Sequence, residues 1–563
     1  MKRNKLLIFT YVLQTTVFSA VNAQHTTFFD VDDARQRGYY NRPYLRYEAE
    51  NGACQTNGTY IGSALDFNQT NIQSEASNQQ ALQLIGINDY VEWTNDEAAD
   101  GMTIRFSIPD NAQGTGTIGK LALYVDGAFV QDIELNSKWA WQYILKTGDM
   151  KYPYNVAAAD KFPRMRFDEV RVKLANKIPQ GQSFKLIKKD NDGVAYTIDF
   201  VELEPIPAKV EKPITGDVVE FTGDGGELVS FVANNAGKII YIPEGRYEIP
   251  TRLYIIGNDT KLIGAGMWYT HLHFVADPNN VVNLPTAPTG YSARGIQSSA
   301  SNVEVSGFYI TTENERRYQN YTDPGKGMGK GFAGSFGKNS IIRDVWVEHF
   351  ECGAWIEQTD GLHIEKSRFR NNYADGINLS YASKNAIVQY CSFRNNGDDD
   401  MASWSRFNMP TENNTFQYSV SEYCWRAAAI GFFGGKQNKA LNCVIVDPTE
   451  VGIRANNDFT ATSFSNEGYF EIRDISIYRA GCKQGTVGEA GNLWGHRAGA
   501  IFISASGVSG KYDVRNFLFS NIDIIDSKGD AIHINAGSTY YVRNIMMDNV
   551  RVNGAALSTS GND

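Results

Sequence analysis

The stretch Gly361 to Trp404, GLHIEKSRFRNNYADGINLSYASKNAIVQYCSFRNNGDDDMASW, contains two successive copies of one pattern. In each copy two apolar residues stand five positions apart, Ile364 with Phe369 and Val388 with Phe393. An asparagine pair follows each apolar pair and marks a turn. This pattern predicts short strands joined by turns, with one coil of chain for each copy.

The same apolar pair recurs through the second half of the chain. Its copies are Val305 and Ile310, Ile342 and Val347, Ile364 and Phe369, Val388 and Phe393, Thr415 and Val420, Leu441 and Val446, Ile472 and Ile477, Phe519 and Ile524, and Met547 and Val552. A repeat of this kind predicts a right-handed parallel β-helix over residues 216–557, whose stacked coils bury a continuous interior. The two longest intervals predict inserted loops, which commonly wall a groove.

Residues 44–204 follow a different pattern, with short alternating segments separated by turn residues. The clearest segments are NDYVEW, GMTIRFSIPD, LALYVDG and YTIDFVEL. Several strands of this kind predict an N-terminal β-sandwich, so we expect an all-β chain with two domains. The proline-rich residues 205–215 predict a stiff linker between them.

The N-terminus predicts export. Lys2, Arg3 and Lys5 precede an apolar stretch, and Val21-Asn22-Ala23 resembles a small-residue cleavage site. Residues 1–23 are therefore predicted to be a signal peptide, and the mature protein to be secreted. Without those three basic residues, 50 Lys and Arg stand against 63 Asp and Glu. Such a net charge disfavours nucleic acid and anionic lipid as partners, and we expect a monomer without membrane insertion.

The six cysteines leave two possibilities open. Their number and the predicted export permit disulfides, whereas a β-rich core can equally hold them as buried thiols. Their irregular spacing contains no CxxC motif, which argues against a zinc site.

Three aspartates are the strongest candidates for chemistry. Asp375 and Asp399 each follow the second anchor of their coil by six residues, so stacking places them in one column. Because neighbouring coils lie about 4.8 Å apart, the two carboxylates are expected to be neighbours. Asp398 should lie around the corner of the turn. Two acids that hold a water and a third that protonates a leaving oxygen are what hydrolysis of a glycosidic bond with inversion requires.

The sequence around these acids resembles glycoside hydrolase family 87. The resemblance covers most of residues 216–557 and is sharpest in IIRDVWVEHFECGAWIE, YADGINL and NNGDDDMASW. It implies an endo-acting, inverting hydrolase of α-1,3-glucosidic bonds in α-1,3-glucan or mycodextran. By this resemblance Asp398 is the general acid, Asp375 and Asp399 position the water, and no cofactor takes part in catalysis.

Three other interpretations of the β-helix remain. Polygalacturonases carry a similar Asp and Asp-Asp arrangement, but they also have a Gly-His-Gly and an Arg-Ile-Lys that this chain lacks. A polysaccharide lyase would need a basic groove, which the acidic cluster disfavours. The last alternative is a β-helix that binds glycans without catalysis, but such a protein does not need acidic residues stacked in register.

Three residues beside the acids are candidate substrate contacts. Asp400 continues the acidic run, and Trp404 follows Asp399 by five positions, where its ring could stack on a pyranose. Arg454 lies two coils further on and could clamp hydroxyl groups. Trp494 to Arg497, in the long insert, form a weaker candidate cluster.

The predicted sandwich resembles carbohydrate-binding modules of families 6 and 35, from YEAENG through YTIDFVEL. In those modules, acids of the first and last strands share a structural calcium. The resemblance therefore implies Glu48, Glu50 and Asp199 as calcium ligands, and hard oxygen ligands suit this ion. Trp139 and Trp141 are candidate sugar platforms, although their alternating face could equally belong to the core.

Overall fold

The computed structural model describes residues 37–62, 71–111, 116–145, 161–275, 294–313, 329–457, 462–481, 499–506 and 511–555. The predicted signal peptide and the Trp494 cluster lie outside these residues. Within them the chain forms an antiparallel β-sandwich followed by a parallel β-helix, so the predicted fold class is confirmed.

The sandwich has two main antiparallel sheets. Its strands are β1 (Leu45–Glu48), β2 (Gln55–Thr56), β3 (Thr59–Ile61), β4 (Ala81–Leu84), β5 (Tyr90–Thr94), β6 (Ala99–Ser107), β7 (Ile118–Val125), β8 (Ala128–Asn136), β9 (Gln142–Leu145), β10 (Lys161–Arg164), β11 (Asp168–Ile178), β12 (Ser183–Ile187) and β13 (Tyr196–Glu204). One sheet has the order β11-β6-β13-β4-β3, with β1 also on β13, and the other has the order β2-β5-β12-β7-β8. Two short 3-10 helices, Ile72–Glu75 and Ser77–Gln79, connect β3 to β4.

The β-helix consists of short strands and one helix that begins it. They are β14 (Val218–Glu220), α1 (Gly225–Asn234), β15 (Ile239–Ile242), β16 (Gly245–Ile249), β17 (Leu253–Ile255), β18 (Lys261–Gly264), β19 (Thr270–Phe274), β20 (Ile296–Ser298), β21 (Glu304–Thr312), β22 (Lys330–Gly334), β23 (Ile341–Glu348), β24 (Cys352–Glu357), β25 (His363–Glu365), β26 (Arg368–Arg370), β27 (Ile377–Ser380), β28 (Ile387–Gln389), β29 (Ser392–Arg394), β30 (Met401–Trp404), β31 (Thr415–Gln417), β32 (Val420–Glu422), β33 (Ala428–Phe433), β34 (Lys439–Leu441), β35 (Val444–Val446), β36 (Val451–Asn456), β37 (Phe470–Tyr478), β38 (Gly499–Ala505), β39 (Val514–Ser527), β40 (Asp530–Ala536) and β41 (Val542–Ala555). Leu228 and Val232 of α1 are buried in the core that runs through the coils.

These strands form two parallel sheets along the axis. The larger sheet contains most of the strands and takes two short strands from each middle coil, such as β25 and β26. The other sheet has the order β17-β20-β22-β24-β27-β30-β33-β36-β38-β40 and will be called the cleft sheet. In each middle coil a turn joins the larger sheet to the cleft sheet, and the predicted acids follow this turn.

The predicted coil register is confirmed for most anchor pairs and is wrong in two coils. Ile364 pairs with Val388 and Phe369 with Phe393, as expected. Val388, however, pairs with Phe416 rather than Thr415, and Phe393 with Ser421 rather than Val420. In the next coil Ala440 and Ile445 replace Leu441 and Val446. The anchor of the first of these two coils was misplaced because Ser421, a polar residue, occupies the interior anchor position.

A buried ion network joins the sandwich to the β-helix. Arg394 of β29 binds Glu202 of β13 at 2.6 Å and Glu422 of β32 at 2.8 Å. Arg46 of β1 binds the same two carboxylates at 2.8 and 2.7 Å. Burial alone would raise the pKa of Glu202, but Arg394, Arg46 and Arg370 together hold it below its usual range. The two parts are therefore joined across a desolvated, charge-paired surface.

The proline-rich segment after the sandwich lies along the first coils. Val210 N donates to the carbonyl of Ala265 at 2.9 Å, and the hydroxyl of Tyr269 donates to the carbonyl of Pro207 at 2.9 Å. These bonds make it a docked connection rather than a free spacer.

The described cysteines, Cys54, Cys352, Cys391, Cys424 and Cys443, are free thiols. Four of them are buried, which favours the thiol alternative for this part of the chain. A search of the described helices finds none with the length and apolar character of a membrane span.

Candidate active site

Stacking brings Asp375, Asp398 and Asp399 into one cluster. Ile377 of β27 pairs with Met401 of β30, so the residues two positions earlier, Asp375 and Asp399, share a column as predicted. One carboxylate oxygen from each of the three residues lies within 4.8 Å of the others. Among the residues the structure describes, this is the only such convergence of three acidic, histidine or cysteine side chains.

Each acid is held differently. Asp399 is buried and its Oδ1 accepts from the Ala428 backbone N–H at 3.0 Å. Asp375 accepts from the Asn378 side chain at 3.2 Å. The Asp398 side chain is 29% exposed and pairs with Arg426 at 2.9 Å. Asp398 is thus the member of the cluster that solvent or a ligand reaches most easily.

Burial and mutual repulsion favour protonation of two of the acids. Burial, followed by the charge of Asp398, raises the pKa of Asp375 to about 7, and Lys330 opposes this rise. The same two causes raise the pKa of Asp399 well above its usual range, against Arg454. Because the three groups interact so closely, their protons belong to the cluster rather than to one residue.

Asp400 is buried inside the coil, a position that does not favour its predicted role as a substrate contact. Its side chain is fully buried, with Oδ1 accepting from Asn396 at 2.8 Å and Oδ2 accepting from the Ser421 hydroxyl at 2.5 Å. Burial raises its pKa to about 8. Asp400 is one residue beyond Asp399 and points into the coil, so it forms a polar link inside the β-helix.

Replacing Asp400 with asparagine should leave turnover within about threefold of the parent, because the amide has the shape of the acid, its oxygen can accept from Asn396 and its NH2 group can donate to the Ser421 oxygen. Initial rates on α-1,3-glucan measure this. A loss comparable to that of a cluster aspartate would show that Asp400 acts in the reaction.

Three residues of the site were not predicted. Arg426 pairs with Asp398, Lys330 binds Glu351 at 3.1 Å beside Asp375, and Gly431 leaves room for Asp399. A Cβ at Gly431 would lie 2.9 Å from Cγ of Asp399. The six-residue spacing does not lead to Arg426, because the anchor of its coil is Ser421 and six residues beyond Ser421 lies Ala427.

Aromatic residues lie on the outer face of the cleft sheet beside the acids. Trp404 of β30 contacts Trp355 of β24 edge-on at 5.7 Å, and the Arg406 guanidinium lies 4.2 Å above its ring. Ala402 and Phe433 complete this outer cluster, which is separate from the coil interior. The role of Trp404 as a sugar platform stays a prediction.

Replacing Trp404 with alanine is expected to lower kcat/KM about tenfold, because an aromatic face that stacks on a sugar contributes on the order of 1 kcal/mol beyond its buried area. A Trp404→Phe variant keeps a ring and should lose less. Equal losses in both variants would contradict the stacking role.

Arg454 is placed differently from its predicted role. It follows Gly431 in one column of the cleft sheet and is buried, 5.3 Å from the Phe433 ring. Its charge lowers the pKa of Asp399. This location favours an action on the acid cluster over direct binding of hydroxyl groups.

The predicted calcium ligands do not form a cation site. Asp199 forms an ion pair with Arg105 and accepts from Ser77 N at 2.9 Å, so both of its carboxylate oxygens have partners within the protein. Burial raises the pKa of Glu48 to about 8 and that of Glu50 to about 7. The oxygens of the three residues do not converge within 4.8 Å. This donor set therefore does not fit calcium.

The two tryptophans predicted as sugar platforms in the sandwich have structural contacts. Trp139 stacks on His349 of the β-helix with ring centroids 4.6 Å apart, and Trp141 donates its Nε1–H to the Ile108 carbonyl at 2.8 Å. His349 in turn bonds Asp168 at 3.0 Å. These contacts favour a role at the junction of the two parts.

Two family models match the chain in succession. The model described as α-1,3-glucanase catalytic domain D1 matches residues 41–206, and the one described as domain D2 matches residues 225–560. The chain belongs to the α-1,3-glucanase catalytic-domain family. The resemblance to glycoside hydrolase family 87 is thereby confirmed, and the enzyme is a glycoside hydrolase. The sandwich counts as part of this catalytic unit, and its interpretation as a carbohydrate-binding module stays a prediction.

Solved structures agree with the α-1,3-glucanase assignment. The Agl-KA catalytic domain shares 32% sequence identity with the chain at a TM-score of 0.77, over 94% of this chain and 90% of that one. A family 87 α-1,3-glucanase variant in complex with tetrasaccharides has 23% identity and a TM-score of 0.75, over 91% and 89%. The catalytic unit of the Streptomyces thermodiastaticus strain HF3-3 enzyme has 22% identity and a TM-score of 0.69, over 93% and 95%. No curated protein sequence matches the chain.

Proposed function

We propose that this α-1,3-glucanase cuts within its polymer and inverts the anomeric centre, with Asp398 as the general acid and Asp375 with Asp399 activating water. The observation that carries the proposal is the convergence of the three carboxylates within 4.8 Å on adjacent coils. The family gives the coarser statement, hydrolysis of α-1,3-glucan.

The environment of each acid supports this division of labour. Asp398 is the most exposed member, so the glycosidic oxygen of a bound glucan reaches it most easily. Asp375 and Asp399 stand side by side on one column, where two oxygens can hold one water. Near neutral pH the raised pKa values keep at least one proton in the cluster, and Asp398 can deliver that proton to the leaving sugar.

The ion pair between Arg426 and Asp398 is expected to separate during the reaction. In the free enzyme the Arg426 guanidinium lies 2.9 Å from the Asp398 carboxylate. A sugar that enters between Asp398 and Arg426 would separate this pair and leave Asp398 facing the glycosidic oxygen.

Endo action is supported by the length of the sheet. The cleft sheet continues on both sides of the acids, to β24 and β22 in one direction and to β33 and β36 in the other. A glucan chain laid along this face would extend past the cluster at both ends. One oxygen from each of the three acids lies within 4.8 Å of the others, which is closer than the roughly 6.5 to 9.5 Å usual for the two carboxyl groups of inverting enzymes. The proposal of inversion therefore rests on the family resemblance.

A product assay tests the substrate and the mode of attack. The enzyme is incubated with insoluble α-1,3-glucan and with mycodextran, and the products are separated by size over time. Endo action on α-1,3-glucan predicts an early mixture of long and short oligosaccharides. A single short product from the first time point would contradict endo action, and new reducing ends only from other glucans would contradict the substrate.

The pH dependence should report the water-activating pair. Asp375 must be ionised to act as a base, so with its pKa at about 7 we expect kcat/KM to fall as the pH drops below about 7. Lys330 lowers this pKa, and a Lys330→Met variant should move the acidic limb to higher pH by about one unit. An unmoved limb would show that another group controls it.

We also propose that catalysis needs no metal ion and that the enzyme acts after export, as the pattern of residues 1–23 indicates. The acids are close enough to share a cation, so the first point needs a direct test. Activity should be unchanged after dialysis against a chelator. Loss of activity that calcium restores would contradict the proposal.

A further inference from the structure

A second groove lies on the larger sheet, at a different corner of the coil from the acids. It has a volume of about 720 Å³ and runs past the bends at Ser306, Asp344, Lys366 and Tyr390 in four successive coils. Its other wall comes from residues 39–43 and from the docked segment 207–210. None of its lining residues belongs to the acid cluster or contacts it.

The groove presents flat aromatic surface. Tyr390 is 40% exposed and stacks on Tyr418 of the next coil, with ring centroids 5.4 Å apart and ring planes 14° apart. Tyr39, which is 45% exposed, is fixed beside them by a backbone bond to the Asn442 carbonyl. Tyr269 is held by its bond to Pro207. Stacked rings of this kind provide a platform for the apolar face of a sugar.

Four of the five charged residues that line the groove, all but Lys366, form ion pairs. Arg368 binds both oxygens of Glu204, at 2.7 and 2.6 Å, on its buried floor. At its rim Arg343 binds Asp344 at 2.8 Å and Glu304 at 2.6 Å. Such a surface offers hydrogen-bonding groups without a strong net charge, which suits a neutral, hydroxyl-rich ligand better than an ion.

From these features we propose that the groove is a second, non-catalytic binding site for a segment of neutral glucan. Its volume lies within the range of about 300 to 1,000 Å³ typical of ligand sites, and such a site accommodates two or three sugar units. The identity of the glucan rests on the assigned α-1,3-glucanase activity. A site remote from the acids would hold the enzyme on an insoluble polymer while the cleft sheet binds the chain that is cut.

The test uses an Asp398→Asn background, so that the polymer stays intact, and adds Tyr390→Ala. Adsorption to insoluble α-1,3-glucan should weaken about tenfold through loss of the stacking platform. Tyr390→Phe keeps the ring and should bind as its background does. Tyr541→Ala, at an exposed tyrosine outside the groove, is the matched control and should also bind normally. Unchanged adsorption of Tyr390→Ala would overturn the proposal.

Hydrogen exchange with an α-1,3-linked tetrasaccharide separates this site from the cleft. The proposal predicts protection of residues 386–394 that Tyr390→Ala abolishes, whereas protection of residues 398–404 persists in both proteins. Protection of residues 398–404 alone would overturn the groove and leave the proposed function intact. Protection of residues 386–394 alone would support the groove and contradict the proposed catalytic site.

Discussion

Asp398→Asn should lower kcat on α-1,3-glucan by about 10³-fold, within the 10² to 10⁴-fold range of general acid catalysis. Asparagine has the shape of the acid but cannot give a proton to the leaving oxygen. The fold should survive, because Asp398 is partly exposed and the asparagine oxygen can still accept a hydrogen bond from Arg426. Unfolding curves of parent and variant check this point.

A substrate with a good leaving group separates acid from base. Fluoride leaves without protonation, so a disaccharide α-fluoride with an α-1,3 linkage needs a base but no acid. Asp398→Asn should therefore hydrolyse the fluoride at a rate within about tenfold of the parent. Asp375→Asn and Asp399→Asn should lose activity on both substrates. Asp400→Asn is the matched control and should keep both.

Fluoride hydrolysis also tests the opposite assignment, in which Asp399 is the general acid. Burial raises the pKa of Asp399 well above its usual range, so a proton held by Asp399 is a second candidate for transfer to the leaving oxygen. If Asp399→Asn kept fluoride hydrolysis while Asp398→Asn lost it, Asp399 would be the acid and our assignment would be wrong. Full activity of Asp398→Asn on glucan would contradict the proposal entirely.

Arg394→Met should lower the free energy of unfolding by about 3 to 5 kcal/mol, the usual cost of removing one partner from a buried ion pair. Arg394 contacts Glu169, Glu202 and Glu422, and its loss leaves excess negative charge away from water. Urea unfolding followed by fluorescence and by circular dichroism measures the change. We expect the sandwich and β-helix signals to shift together.

The same variant has a predictable pH dependence. Glu202 and Glu422 have lowered pKa values in the folded parent, so their contribution is present above about pH 4.3 and is lost as the pH falls. The stability difference between parent and Arg394→Met should therefore be largest near neutral pH and should narrow in acid. Lys120→Met, which removes an exposed pair with Asp132, should leave stability unchanged at either pH. An equally stable Arg394→Met would show that the network does not hold the two parts together.

The sequence predicted those features that repeat at short range. Asp375 and Asp399 could be placed in one column because each follows the second anchor of its coil by six residues, and these anchors, Phe369 and Phe393, pair with each other. The same spacing rule gave wrong positions where polar side chains lie inside the coil. Asp400 and Ser421 form a hydrogen bond inside the coil, so one was read as a substrate contact and the other was passed over as an anchor.

Features that depend on distant segments could not be predicted. Arg394 and Glu202 lie 192 residues apart, and no periodicity connects a β-sandwich strand to a β-helix coil. For the same reason the acids of the sandwich were read as calcium ligands, when Arg105 binds Asp199. Arg426 was missed because the anchor of its coil is Ser421, a polar residue that the apolar pattern does not mark.

The anomeric form of the first product tests the central claim most directly. Proton nuclear magnetic resonance follows the reducing-end signal during early hydrolysis of a soluble α-1,3-linked oligosaccharide, before the anomers equilibrate. Direct attack of a water held by Asp375 and Asp399 predicts that the β-anomer appears first. An initial α-anomer would mean that one of the three aspartates forms a covalent intermediate, and it would contradict the account.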